Sequence, residues 1–245
     1  MRGRIIYDEV LNYIGSTVQP LCPLLKRIKE QAEAMGVPAA CPETLELLKF
    51  IASVKKPSEI LELGTGNGLS GASMCLALAS DDCLRHVSGC RRFQDESARG
   101  SCPLCDADKL RFRLTTVEKN PSNALAASEN LRPFSAEIIC GDAVDAVNSL
   151  AQSGRSFDLV FLDCAKSSYV RLLPGILKLM NPGAVLAADN VLFKGMVSSN
   201  DEPPRKYSSI VKNLRAYIDE VMNDERLRSC VLPVGDGVAL SVLIR

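Results

Sequence analysis

Apolar positions over residues 5–54 recur at helical spacing. Leu45, Leu47, Leu48 and Ile51 form a stripe behind Pro42-Glu43-Thr44, a helix start signal, so the chain is expected to open with a helical layer. From Ser58 the period changes to short apolar runs at 59–63, 112–118, 137–140, 157–163 and 184–189. Helix-patterned stretches at 69–79, 122–131, 143–151 and 169–180 alternate with them. Strands that are apolar on both faces and alternate with helices predict an open, doubly wound, mostly parallel α/β sheet. After a polar loop at 200–206 comes one more helix, then two runs at 229–233 and 237–244 around Gly235-Asp236-Gly237, which read as a closing antiparallel hairpin and bring the sheet to seven strands.

One stretch breaks the rhythm. Residues 81–110 are polar, weakly periodic and hold Cys83, Cys90, Cys102 and Cys105, and they read as an insertion within one domain spanning 1–245. Cys102-Pro103-Leu104-Cys105 is spaced like half of a zinc knuckle, and Cys83 with Cys90 completes a candidate structural zinc set, with His86 as an alternative ligand. The basic residues of this region, such as Arg85, Arg91 and Arg92, are offset by acids such as Asp81, Asp82 and Asp95, which argues against a nucleic-acid surface.

Composition narrows the class further. Lys plus Arg equals Asp plus Glu at 29 each, and 47% of the 245 residues are apolar, so charge alone suggests neither disorder nor a polyanion-binding surface. Acids at Asp8 and Glu9 interrupt any secretory signal, and no apolar run approaches the roughly 18 residues of a membrane span, so a soluble, cytoplasmic protein without membrane partners is expected. The ten cysteines then read as thiols or metal ligands. Cys75, Cys140 and Cys230 fall in apolar patterns and are expected to act as small hydrophobes.

The first strand runs into Glu62-Leu63-Gly64-Thr65-Gly66-Asn67-Gly68 and then a helix beginning Leu69-Ser70. A dinucleotide fingerprint would need glycine where Leu69 stands, so the turn suits a nucleoside ligand without pyrophosphate and disfavours a nicotinamide-dependent oxidoreductase. Glu118, at the end of the next strand, is placed to accept hydrogen bonds from ribose hydroxyls. Asp142 and Ala143, after the third, are placed near an adenine; the alternative for Asp142 is a helix cap. The cofactor set is therefore Glu62, Gly64, Thr65, Gly66, Gly68, Ser70, Glu118, Asp142 and Ala143, with Asp163 at its border.

The fourth and fifth strands end in Asp163-Cys164-Ala165-Lys166 and Asp189-Asn190. Ligands of open α/β sheets bind beyond the carboxyl ends of the strands, where Asp163, Asp189 and Asn190 converge as hard oxygen donors for magnesium or another divalent ion such as calcium or manganese.

These segments, with Met35-Gly36-Val37, Val117-Glu118-Lys119-Asn120, Tyr169, Asp189-Asn190-Val191-Leu192 and the tail from Leu232 to Val242, resemble the metal-dependent O-methyltransferases that include the catechol and caffeoyl-coenzyme A enzymes. The resemblance spans nearly the whole chain apart from the insertion. It implies S-adenosylmethionine as methyl donor and Asp163, Asp189 and Asn190 as ligands of a catalytic divalent cation. It also implies Lys166 as general base, Glu118 on the ribose, a small catechol-like or phenolic substrate, and a homodimer, with the N-terminal helices as candidate interface or substrate lid. Phe193 stands where the family often has Trp, which puts the substrate wall in doubt. The competing expectations are methylation of a modified wobble uridine in transfer RNA, and a non-catalytic, zinc-stabilised binding module.

Overall fold

The computed structural model describes residues 8–18, 20–79 and 111–245. The expected zinc set Cys83, Cys90, Cys102 and Cys105 lies outside the described residues.

Three helices precede the sheet: α1 (Asp8–Thr17), α2 (Pro23–Met35) and α3 (Pro42–Lys55). Pro23 and Pro42 occupy the first turns of α2 and α3, where a missing N–H costs nothing, and Gly36 ends α2 in a left-handed conformation. The chain then alternates through β1 (Glu59–Leu63), α4 (Leu69–Leu78), β2 (Arg113–Glu118), α5 (Pro121–Leu131), β3 (Glu137–Cys140), α6 (Ala143–Gln152), β4 (Phe157–Leu162), α7 (Tyr169–Leu179) and β5 (Met180–Ala188). It closes with α8 (Arg205–Asn223), β6 (Leu227–Leu232) and β7 (Val238–Leu243).

The sheet has seven strands in the order β3-β2-β1-β4-β5-β7-β6. The first five run parallel, and β7 enters antiparallel between β5 and β6. The expected doubly wound sheet with its closing hairpin is therefore present. Strand β5 starts earlier than the apolar pattern suggests, because Met180 already pairs with Phe157 across a register shift ahead of the Leu159↔Val185 pair.

Alternation along the central strands divides the core. Ile60, Leu159 and Phe161 pack on the face covered by the N-terminal helices and α4; Leu61, Leu63, Val160 and Leu162 pack on the face covered by α6, α7 and α8. Position explains a correction to the cysteines. Cys75 is buried as expected, but Cys140 and Cys230 are exposed, because β3 and β6 are the two edge strands. A local apolar pattern does not reveal which strands end up at the edge. Among the described residues no helix is long and apolar enough to cross a membrane.

Candidate active site

The strand order reverses between β1 and β4, and there the sheet opens a cleft of about 660 Å³ beyond its carboxyl edge, a size typical of small-molecule sites. Gly64, Thr65, Gly66, Ser70, Glu118, Asp142 and Ala143 line one half. Asp163, Lys166, Asp189 and Asn190 line the other. Two predicted positions are not among the lining residues: Glu62 is buried in β1, and Gly68 closes the turn as the N-cap of α4, facing Leu131.

The floor is tightly built. A Cβ on Gly64, which has φ 94°, would lie 2.3 Å from the Asp163 carbonyl oxygen, so the β1 turn approaches the end of β4 as only glycine allows. The Glu118 carboxylate accepts from the Gly66 N–H at 2.9 Å through Oε2 and from the Asn120 N–H at 2.8 Å through Oε1, holding the loop against β2. Asn120 caps α5 by accepting from the N–H groups of Ser122 and Asn123.

Glu62 is fully buried beneath this loop. Ser70 Oγ donates to it at 2.5 Å and Thr116 Oγ1 at 2.7 Å, and Thr65 also donates. Burial raises its pKa, the three hydroxyl donors oppose that, and the charge of Asp163 adds to it. Glu62 thus reaches the cleft only through Thr65 and Ser70, which line it. Sequence reasoning missed Thr116; its signal is a polar side chain inside an otherwise buried parallel strand.

Of the two roles open to Asp142 in the sequence, the structure shows the helix cap. Its Oδ1 caps α6 by accepting from the Val144 N–H at 2.9 Å, and Lys119 Nζ lies 3.1 Å from Oδ2. Those donors, the backbone N–H first, hold its carboxyl below the ordinary value. It also remains on the cleft wall beside Ala143. The N-terminal layer supplies the facing wall through Val37, Pro38, Ala39 and Ala40. Asn67 Nδ2 ties that layer to the glycine-rich loop by donating to the Ile28 carbonyl at 2.7 Å.

In the chemical half, Lys166 Nζ donates to Asp163 Oδ1 at 2.5 Å. Asp189 is 1% exposed. Its carboxyl is pushed up to about 6, by burial first and then by the charge of Asp163, against the opposing N–H of Asn190 and the charge of Lys166. Asn190 has φ 57°, a left-handed conformation that asparagine tolerates better than most residues, and its N–H donates to Asp189 Oδ1 at 2.7 Å. Among the described residues no group of three or more His, Cys, Asp and Glu side chains clusters for a metal; the set here is two carboxylates and an amide. Asp189 is buried within range of the charge of Asp163, and Lys166, whose charge opposes the rise, is bonded to Asp163. The donor set therefore fits a hard divalent cation that keeps positions for other oxygens.

Beyond Asn190 the chain turns through Phe193 (φ 42°), Lys194 (φ 57°) and Gly195. Phe193 stacks edge-on against Tyr207 with centroids 5.4 Å apart. The β6–β7 turn fixes this loop: Lys194 N–H donates to Asp236 Oδ1 at 2.5 Å and Leu192 N–H to the Asp236 carbonyl at 3.0 Å. A Cβ on Gly237 would strike the Leu192 side chain at 2.4 Å, so the two turns interlock.

Comparison with known proteins agrees with this geometry. The chain is 26% identical to the catechol O-methyltransferase of Niastella koreensis, over 97% of this chain and 98% of that protein. It is 38% identical to caffeoyl-CoA O-methyltransferase 2 of Zea mays over 98 residues, which span 39% of this chain and only 37% of the maize protein. Among solved structures, the O-methyltransferase TomG of Streptomyces achromogenes, involved in tomaymycin synthesis and solved with S-adenosylmethionine, superimposes with a TM-score of 0.74 at 24% identity, covering 98% of this chain and 97% of TomG. The O-methyltransferase of Bacillus cereus, solved with S-adenosylhomocysteine, gives 0.72 at 22% identity, covering 95% and 96%. At these identities the structures establish the fold. The O-methyltransferase family model matches residues 112–244, which carry every strand after the first and both halves of the strand-end carboxylate set, and the chain belongs to that family.

Proposed function

We propose that the protein is an S-adenosylmethionine-dependent, divalent-metal-dependent O-methyltransferase acting on a small catechol-like or phenolic hydroxyl. One observation carries the reading: the nucleoside-type half and the oxygen-donor half are two walls of one cleft, so methyl donor and acceptor share a compartment. Holding two reactants in attacking geometry supplies a large part of such an acceleration.

Glu118 takes the ribose edge, the backbone of Gly64 and Gly66 passes beneath the nucleoside, and Ser70 and Thr65 are held toward the cofactor by Glu62. S-adenosylmethionine would supply an electrophilic methyl group. A divalent cation held by Asp163, Asp189 and Asn190 would acidify a substrate hydroxyl by stabilising its conjugate base. Lys166 Nζ stands beside Asp163 on the cleft wall; as the neutral amine, its own proton first released to solvent, it would take the hydroxyl proton. Val37, Pro38, Ala39 and Ala40 would cover the cofactor half of the cleft from the N-terminal layer. The catechol and caffeoyl-CoA relatives support the substrate class.

Homodimerisation belongs to the same reading, supported by the apolar side chains that α3 leaves exposed, Phe50 at 66% and Val54 at 68%. So does a structural zinc on the four insertion cysteines, which metal analysis of the purified protein would detect.

The test is calorimetric titration of S-adenosylmethionine with a methyl-transfer assay on catechol, with and without magnesium. Cofactor binding with magnesium-dependent product is expected. Absence of cofactor binding under reducing, zinc-replete conditions would refute the reading. Binding without turnover on any phenol, with turnover on transfer RNA, would redirect the substrate.

A further inference from the structure

The last backbone pairing between β4 and β5 is Leu162↔Ala188, closed by the Asp189 N–H donating to the Leu162 carbonyl at 3.0 Å. Immediately beyond it the strands part, and the next residue on each side is a carboxylate, Asp163 or Asp189. The spacing of those carboxylates is therefore set where the sheet's own hydrogen bonding stops. Tyr169, at the start of α7, is 0% exposed and reaches that point from below. Its hydroxyl lies 2.9 Å from the Leu162 carbonyl oxygen and 3.0 Å from the Asp189 carbonyl oxygen, so its single proton is shared between the two strand ends. The same side chain bounds Lys166, whose Nζ lies 5.5 Å from the ring centroid.

We propose that Tyr169 is a positioning residue whose hydroxyl clamps the ends of β4 and β5 and so fixes the spacing of the cation ligands Asp163 and Asp189. The inference rests on the metal-dependent reading above and adds a residue that touches neither cation nor substrate. Partners that orient metal ligands from outside typically change affinity by about 10- to 100-fold when removed. A purely packing role is the competing account, and the fold contains its own control. Tyr217 on α8 is equally buried, its ring meets that of Tyr169 edge-on with centroids 5.3 Å apart, and its hydroxyl has no hydrogen-bond partner among the described residues. One ring pair thus carries one hydroxyl that bridges the ligand strands and one that bridges nothing.

The experiment compares manganese titrations of the wild type, Tyr169→Phe and Tyr217→Phe, followed by paramagnetic resonance of the free ion. S-adenosylmethionine binding is measured in parallel with a chelator present. Tyr169→Phe is expected to weaken manganese binding by about tenfold or more and to leave cofactor binding within about twofold. Tyr217→Phe is expected to change neither. Should Tyr169→Phe fold poorly, p-aminophenylalanine at position 169 restores a donor to both carbonyls and is expected to bind manganese like the wild type. Manganese binding by Tyr169→Phe equal to wild type, or equal losses in both Phe variants, would overturn the clamp while leaving the metal-dependent reading standing. A wild type that binds no divalent ion would overturn that reading and the clamp with it.

Discussion

The two ends of the sheet treat their carboxylates in opposite ways. At the amino-terminal edge, Asp158 accepts from the N–H groups of Ser58 and Glu59 at 2.9 and 3.1 Å and from Asn181 Nδ2 at 2.9 Å. Although burial works to raise its pKa, these donors leave it lowered. Glu137 is bonded by Arg155 at 3.0 Å and Thr115 at 3.0 Å, and the Arg155 hydrogen bond is the main reason its carboxyl is held down. Glu59 meets Arg113 at 2.8 Å and Arg155 at 3.5 Å. At the carboxyl-terminal edge the balance fails: Asp189 is pushed up to about 6 and Glu62 is raised, each with the charge of Asp163 contributing. One edge neutralises its charge to hold the sheet together. The other pairs Asp163 with Lys166 and Asp142 with Lys119 but buries Asp189 without an ion pair of its own among the described residues, which favours a cation there and costs stability.

The strongest way to break this contrast is to remove that buried carboxylate. Asp189→Ala is expected to lower methyl transfer by about 1000-fold or more, since it removes a cation ligand. The thermal midpoint should hold or rise, because a poorly compensated buried carboxylate has gone. A large fall in the midpoint would show Asp189 to be structural. Lys166→Ala removes the cation paired with Asp163: loss of a general base should reduce turnover by about 100-fold, with cofactor affinity in the absence of metal unchanged. Glu118→Ala should weaken S-adenosylmethionine binding by about tenfold, for the loss of a charge-assisted contact, readable by calorimetry.

At the opposite edge, Arg155→Met should leave turnover unchanged and cost about 1 kcal/mol at pH 7. The sign follows from Glu137. Its folded pKa lies below the ordinary glutamate value, so its pairing contributes fully above that value and is lost as the pH falls through the lower folded one. The difference between Arg155→Met and wild type in chemical denaturation should therefore shrink on acidification below about pH 4. The smallest effect is expected from Asp142→Asn, which keeps the helix cap and loses only an exposed pair with Lys119, worth about 0.3 kcal/mol.

The alternation of apolar and polar residues was enough to read the parallel strands, the covering helices and the hairpin around Asp236. That Asp163, Asp189 and Asn190 would meet at one crevice was legible because an open α/β sheet places its ligands at the carboxyl ends of its strands; Lys166 was singled out only by the family resemblance. Glu62 was read as a cofactor contact, yet it is buried away from the cleft, hydrogen-bonded to Thr65 and Ser70, which line it. Its hydrogen-bond donor Thr116 comes from the neighbouring strand, and no local pattern relates the two.

The sequence by itself determined the order of elements, the glycine turn that brings β1 against Asp163, and the chemical type of each strand-end side chain, because these depend on local periodicity, on φ and on functional groups. Only the tertiary structure decided which strands became edges and exposed Cys140 and Cys230. It also decided that Asp189 would be buried facing Asp163, and that the hydroxyl of Tyr169 rather than that of Tyr217 would bridge the parting strands. Desolvation and hydrogen bonding depend on what packs from distant parts of the chain, and that is fixed only when the layers close on one another.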